Sequence, residues 1–133
     1  MTVKKLSYSN LPQVARGCAD SIVAHGGCNG YHDEWQDIGH GDFSAKALQV
    51  LADDCAKFIE TAQGLHPDGK AGLRRAIKYH DLGWHFFLAR QGTGVGFENF
   101  MLGDFGEQLT QLAEGYGRIE VEITDDQEIS FHV

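Results

Sequence analysis

Two imidazoles and a carboxylate lie close together in the sequence, at His80, Asp81 and His85. Imidazole takes up and releases protons near neutral pH, so with Arg90 this group could serve a small enzyme beside the glycine-rich turn at 92–96. No serine or cysteine nucleophile accompanies them at a spacing typical of an enzyme family. The hydrophobic pattern also predicts that both histidines face the protein interior. We therefore predict structural histidines and no catalytic residue, with the small enzyme as an alternative hypothesis.

A second group with possible chemistry consists of His25, Cys28 and His32, with Cys18 as a fourth candidate. Zinc is held by four histidine or cysteine side chains that converge as a tetrahedron. The spacing here matches no common zinc finger or knuckle, and Cys18 falls on the apolar face of a predicted helix. We therefore predict no metal site and no cofactor.

The segment Gly92-Thr93-Gly94-Val95-Gly96 could be interpreted as a phosphate-binding loop. Such loops present successive backbone N–H groups and are followed by the N-terminus of a helix. The glycine spacing differs from that motif, and no Lys-Ser or Lys-Thr pair follows. A tight turn with close backbone packing is the favoured interpretation.

Four cations are grouped on one predicted helix face and are called the basic ridge here: Lys70, Arg74, Arg75 and Lys78. They lie opposite the apolar residues of the same helix. A positive surface of this kind can bind phosphates or an acidic protein surface. The alternative is an ordinary solvated helix face.

The last third of the chain is strongly acidic. From Glu98 onward there are nine carboxylates and one cation, Arg118, which accounts for the whole formal net charge of −8. Such a block repels nucleic acids and attracts cationic partners. Glu120 and Glu122 are predicted to lie on one face of a strand, called the acidic face here, which is a second candidate contact surface.

The periodicity of apolar residues predicts the elements that must position these side chains. A spacing of three and four predicts four helices, at about Leu11–Ala24, Ala45–Gln63, Lys70–His80 and Phe105–Tyr116. Ser44 is expected to cap the second of them, and Asp104 with Glu107 resembles a capping box.

Two hairpins are predicted. Residues from Trp84 to Arg90 are apolar on both faces, which indicates a central strand that turns back into a strand at 95–100. At the C-terminus, residues 119–123 and 129–133 alternate apolar and polar side chains. Both apolar sets share one face only if Thr124 lies opposite Glu128, which gives a three-residue loop whose last residue, Gln127, has a positive φ.

The 133 residues suit a single domain over 1–133. The predicted fold class is α+β, with three or four helices packed on a small, mostly antiparallel sheet built from two hairpins. No apolar run approaches the roughly 20 residues that span a bilayer. The N-terminus does not have the pattern of a secretory signal, so we expect a cytoplasmic protein with reduced cysteines.

The stretch from Leu82 to Phe97 resembles a family of small proteins encoded by phages, prophages and plasmids, for which no activity is established. The similarity extends over about residues 42–133. It includes Leu102-Gly103, Gly106-Glu107, Leu109-Thr110, Tyr116-Gly117 and Asp125-Asp126. Relatives carry His-Asp where this chain has Trp84-His85, and glycine at the position of Gln127. The resemblance implies a mobile-element setting in a bacterial host, and no reaction.

The expected function is that of a non-enzymatic, protein-binding accessory factor of a phage or other mobile element, an inhibitor or modulator of host defence or regulatory machinery. The basic ridge and the acidic face are its expected contact surfaces. The alternatives are the small enzyme described above and a nucleic-acid-binding protein that uses the basic helix.

Overall fold

A computed structural model describes residues 6–26 and 38–132, which form a mostly helical α+β fold. Its helices are α1 (Gln13–Ala24), α2 (Ala45–Leu65), α3 (Gly69–Ala76), α4 (Tyr79–Arg90) and α5 (Asp104–Gly115). Strands β1 (Glu120–Ile123) and β2 (Ile129–His132) pair antiparallel, and three short 3₁₀ turns lie at Tyr8–Asn10, His40–Asp42 and Glu98–Phe100. In these ranges no helix is both long and apolar enough to cross a membrane.

The predicted α+β class is confirmed, but the first hairpin is wrong. Residues predicted as a central strand, Trp84–Arg90, belong to helix α4, and the predicted return strand at 95–100 contains a 3₁₀ turn. Residues 86–90 are all buried. A helix that is covered on all sides and a central strand have the same continuous apolar pattern, so periodicity alone could not separate them. The described ranges therefore hold five α-helices, where three or four were predicted, and one hairpin, where two were predicted.

The helix predicted over Lys70–His80 is divided. Ile77 and Lys78 have extended backbones, with φ/ψ of −153°/142° and −68°/139°, and they separate α3 from α4. Ile77 is buried, so it anchors the junction while Lys78 stays exposed. The basic ridge consequently lies across a junction between two helices.

Helices α1 and α4 cross with their backbones in contact, because a glycine lies on each side of the crossing. A Cβ atom at Gly17 would overlap the carbonyl group of His80, and one at Gly83 would overlap the carbonyl group of Val14. Any larger side chain would force the helices apart. The crossing is therefore fixed by the absence of side chains at these two positions.

Aromatic side chains fill the core between α2, α4 and α5. The rings of Phe58 and Phe86 are stacked with centroids 4.2 Å apart, and Tyr116 contacts Phe86 edge-on at 5.0 Å. Phe97, which follows the glycine-rich turn, is fully buried and lies 6.2 Å from Phe58. The loop after α4 is thereby held on the core.

Of the two predicted helix caps, one is confirmed and one is wrong. Ser44 Oγ accepts a hydrogen bond from the N–H of Ala47 at 3.1 Å, which confirms the predicted cap of α2. The predicted capping box is wrong, because α5 begins at Asp104 itself, after Gly103 with a φ of 61°. Asp104 and Glu107 both lie in the first turn, where a carboxylate interacts favourably with the positive end of the helix dipole.

The C-terminal hairpin has the predicted register. Val121 pairs with Phe131 and Ile123 with Ile129, while the N–H of Thr124 donates to the carbonyl oxygen of Glu128 at 2.9 Å. Gln127 has a φ of 64°, as expected at the end of a three-residue loop. The requirement that both apolar sets share one face was thus sufficient to fix the pairing.

Cys18 and Cys55 are free, buried cysteines, as expected of small core residues. The hydrogen bond between the two thiols, together with burial, raises the pKa of Cys55 well above its usual value. Burial and a hydrogen bond to Asp20 raise the pKa of Tyr8, and burial raises that of Tyr116. All three groups therefore favour their neutral forms in the folded state.

These raised pKa values predict alkaline instability. A raised folded-state pKa contributes stability below the unfolded pKa, which is about 8.5 for a thiol and about 10 for tyrosine. That contribution is lost as the pH rises toward the folded pKa. The free energy of unfolding, measured with denaturant, should fall from pH 8 to pH 11, and less steeply in Cys55→Ala. A constant or rising value would contradict this account.

The glycine crossing predicts that Gly17→Ala and Gly83→Ala each lower the free energy of unfolding by about 1–3 kcal/mol, because the added methyl group overlaps a backbone carbonyl. Gly64→Ala is the matched control, since Gly64 lies in α2 with open space around its Cβ position. That variant should be neutral or more stable by up to about 1 kcal/mol. Equal effects at all three positions in denaturant unfolding would refute the crossing.

Candidate functional site

Three residues of the basic ridge line a single open cavity of about 350 Å³ at the α3–α4 junction, called the cation cavity here. Lys70 lies in the first turn of α3, Arg74 in its last turn, and Lys78 precedes α4. The remaining wall is formed by Gln13, Ile77, Tyr79 and His80. The predicted ridge is therefore concave over much of its length.

The fourth ridge residue, Arg75, does not line the cation cavity. Its Nη2 atom lies 3.3 Å from Asp68 Oδ2, and both side chains are about two-thirds exposed (67% and 66%). Within residues 6–26 and 38–132, no carboxylate lies within ion-pair distance of Lys70, Arg74 or Lys78. The three cations that line the cavity therefore form no ion pair within the described part of the chain.

His80 at the wall of the cavity is held by α1. Its Nε2 atom donates to Asp20 Oδ2 at 2.7 Å, and the hydroxyl group of Tyr8 donates to the same oxygen at 2.9 Å. The Asp20 carboxylate would offset the charge of a protonated His80. Asp20 is thus engaged by His80 and Tyr8, and the three ridge cations remain available to an external anion.

Helix α4 begins at the cation cavity. The N–H groups of its first turn carry partial positive charge, which adds to the field of the three cations. Asp81 also lies in this turn and offsets part of that field. The helix end supplements the side chains and does not by itself define the site.

A second cavity of about 240 Å³ adjoins the first and is called the apolar cavity here. Its walls are almost entirely apolar and are formed mainly by Pro12, Val14, Cys55, Ala56 and Ile59. Gln13 and Tyr79 line both cavities. The two cavities are therefore adjacent, and the pair, which lies across α1, α2 and the α3–α4 junction, is called the groove here.

The residues of the enzyme hypothesis have separate structural partners. His85 Nδ1 donates to the carbonyl oxygen of Gly96 at 2.8 Å, and His80 is bonded to Asp20. Arg90 is buried and donates to Asp54 Oδ2 at 2.8 Å. The described contacts do not bring His80, Asp81, His85 and Arg90 together as one acid–base site.

Arg90 holds the segment between α5 and β1 in place through hydrogen bonds. Besides Asp54, it donates to the carbonyl oxygens of Gly117 at 2.8 Å and Tyr116 at 3.4 Å. Its guanidinium lies over the rings of Phe86 and Tyr116, 5.4 and 5.5 Å from their centroids. These contacts use the fork of donors that distinguishes arginine from lysine.

The described part of the metal hypothesis does not converge. His25 Nδ1 donates to the carbonyl oxygen of Ser21 at 2.8 Å, whereas the free thiol of Cys18 forms a hydrogen bond with Cys55 in the core. Cys28 and His32 lie outside the described residues. Over 6–26 and 38–132 there is no group of three histidine, cysteine or acidic side chains that could hold a metal ion.

Two backbone N–H groups of the glycine-rich turn already donate hydrogen bonds to nearby side chains. The N–H of Gly96 donates to the carboxylate of Glu98 at 2.9 Å, and the N–H of Val95 donates to Thr93 Oγ1 at 3.1 Å. A side chain at Gly96 would overlap Thr110. These contacts agree with the interpretation as a tightly packed turn.

The acidic face is present but has mixed charge around it. Glu120 and Glu122 are exposed and lie on the same side of β1, as predicted. Arg118 and His132 line the same shallow depression of about 400 Å³. The negative field of this surface is consequently weaker than the sequence suggests.

Comparison of the chain with protein-family models, with curated proteins and with solved structures found no match in any of the three. The resemblance to phage and plasmid proteins stays a prediction.

Sequence reasoning missed the two residues that join the cavities, Gln13 and Tyr79, and the carboxylates that hold His80 and Arg90, which are Asp20 and Asp54. The available signal was Gly17, a glycine in the middle of a predicted helix. An interior glycine weakens a helix and usually has a packing reason. With α4 assigned as a strand, the helix that packs against Gly17 was absent from the prediction.

Arg90 and Arg75 allow a matched test of structural against surface roles. Arg90→Ala leaves Asp54 without its partner and removes a buried cation, which should cost about 3–5 kcal/mol of unfolding free energy. Arg75→Ala removes an exposed pair and should cost less than about 0.5 kcal/mol. Denaturant unfolding checks both values. A small effect of Arg90→Ala would contradict its structural role.

Proposed function

We propose that this protein is a non-enzymatic binding factor that contacts an acidic segment of a protein partner through the basic ridge, with the cation cavity as the centre of the contact. The observation that supports this most directly is the convergence of Lys70, Arg74 and Lys78 on one cavity. Clustered like charges repel one another, so their grouping without internal carboxylates favours an external anion.

The short length of the basic helix and the negative charge of the chain favour a protein segment over a nucleic acid as the ligand. Helix α3 has eight residues, which corresponds to a length of about 12 Å. A nucleic-acid strand carries charge along its whole length, and this chain, whose formal net charge is −8, would repel it outside the ridge. A short acidic segment can engage the three cations and leave the remainder of the surface free.

The proposed setting is the bacterial cytoplasm, where the protein would serve a phage or another mobile element by modulating host defence or regulatory machinery. The support for this setting is the resemblance of residues 42–133 to proteins of mobile elements. The acidic face, Glu120 and Glu122, is proposed as a separate and weaker contact surface.

Charge reversal of the ridge lysines tests the proposed function. In Lys70→Glu/Lys78→Glu, partner proteins captured from bacterial lysate should fall at least about tenfold, since each lost ion pair in a binding site weakens affinity substantially. Lys46→Glu/Lys57→Glu is the matched control, because both lysines are exposed on α2 and line neither cavity. The measurement is quantitative mass spectrometry of the captured proteins.

The control should capture the same proteins as the wild type, because it has the same change in net charge as Lys70→Glu/Lys78→Glu but leaves the basic ridge intact. If both double variants lose the same proteins, or neither does, the ridge is not the contact surface. A fluorescent DNA duplex is titrated against all three proteins as well. Duplex binding that depends on Lys70 and Lys78 and weakens steeply with salt would favour the nucleic-acid alternative.

A further inference from the structure

The groove combines positive charge and apolar surface in adjacent compartments. Gln13 and Tyr79 belong to the walls of both cavities, so one extended ligand could contact the two at the same time. One end offers three cations, and the other offers Val14, Ile59 and neighbouring apolar side chains. This arrangement is complementary to a molecule that carries a negative charge close to an apolar group.

The volume of the apolar cavity limits what can enter. Cavities of about 150 Å³ in protein cores can bind a molecule the size of benzene. At about 240 Å³, the apolar cavity here has room for one large aliphatic or aromatic side chain. The acyl chain of a membrane lipid is larger than this space.

Tyr79, which lines both cavities, carries a buried polar group. Its hydroxyl group is buried and has no hydrogen-bond partner among the described residues. Buried hydroxyl groups normally form a hydrogen bond, because an unpaired one is costly. Because this hydroxyl group has almost no accessible surface, it is not part of the groove wall, and a ligand could reach it only if the Tyr79 side chain moved.

We infer that the groove binds a segment of the partner protein in which a large apolar side chain is flanked by acidic residues. The apolar side chain fills the cavity beside Cys55 and Ala56, and the carboxylates lie against Lys70, Arg74 and Lys78. This inference rests on the proposed function and adds the chemistry of the recognised segment.

The test uses fluorescent peptides that share flanking glutamates and differ only in the central residue, which is leucine, methionine, phenylalanine, tryptophan or serine. Fluorescence anisotropy measures their affinity for the full-length protein. At least one apolar peptide should bind about ten- to hundredfold more tightly than the serine peptide, as expected from burial of one large side chain.

Two variants probe the groove without removing charge. Ala56→Phe places a ring in the apolar cavity from an exposed position of α2 and should abolish the preference for an apolar peptide. Gln111→Phe, at an exposed position of α5, is the matched control and should retain it.

The outcomes separate this inference from the proposed function. If all peptides bind equally, and binding depends on Lys70 and Lys78, the proposed function survives and the apolar part is wrong. If no peptide binds, both fail. If Ala56→Phe and Gln111→Phe behave alike, or if palmitate competes as effectively as the best peptide, the groove does not recognise a peptide side chain.

Discussion

The contact of two helix backbones at Gly17 and Gly83 is the constraint on which the rest of this structure depends. Each glycine lies where a side chain would overlap the carbonyl group of the opposite helix. The crossing brings Asp20 to His80 and makes Gln13 and Tyr79 neighbours in one groove wall. Both cavities therefore depend on the close approach of α1 and α4, which is possible only because Gly17 and Gly83 have no side chain.

Charge in this protein is separated over the fold. Lys70, Arg74 and Lys78 line the cation cavity at the α3–α4 junction, whereas most carboxylates of the last third lie on α5 and the hairpin. The one buried cation, among residues 6–26 and 38–132, is Arg90, which is paired with Asp54 and with two carbonyl oxygens. Arg90 thus stabilises the fold, while Lys70, Arg74 and Lys78 remain directed to an external anion. His80, His85 and Arg90 each have a separate structural partner, so these contacts do not form one acid–base group.

Elements whose identity is determined locally could be predicted from the sequence. Ser44 satisfies an N–H group of its own helix, and the period of two in the hairpin allows one register only. Helix α4 could not be predicted this way, because Phe86–Arg90 are covered on all sides and lose the amphipathic pattern. The ridge cations were identified by type and spacing. Their concavity, and the adjoining apolar cavity, arise from the crossing of α1 with α4, which no local pattern encodes.

The crossing can be measured directly by nuclear Overhauser effects in the assigned protein. The account predicts cross-peaks from the α-protons of Gly17 to backbone protons of His80, and from those of Gly83 to backbone protons of Val14. If both glycines are assigned and neither pair of cross-peaks is present, the helices do not cross as described, and the groove attributed to that crossing does not exist.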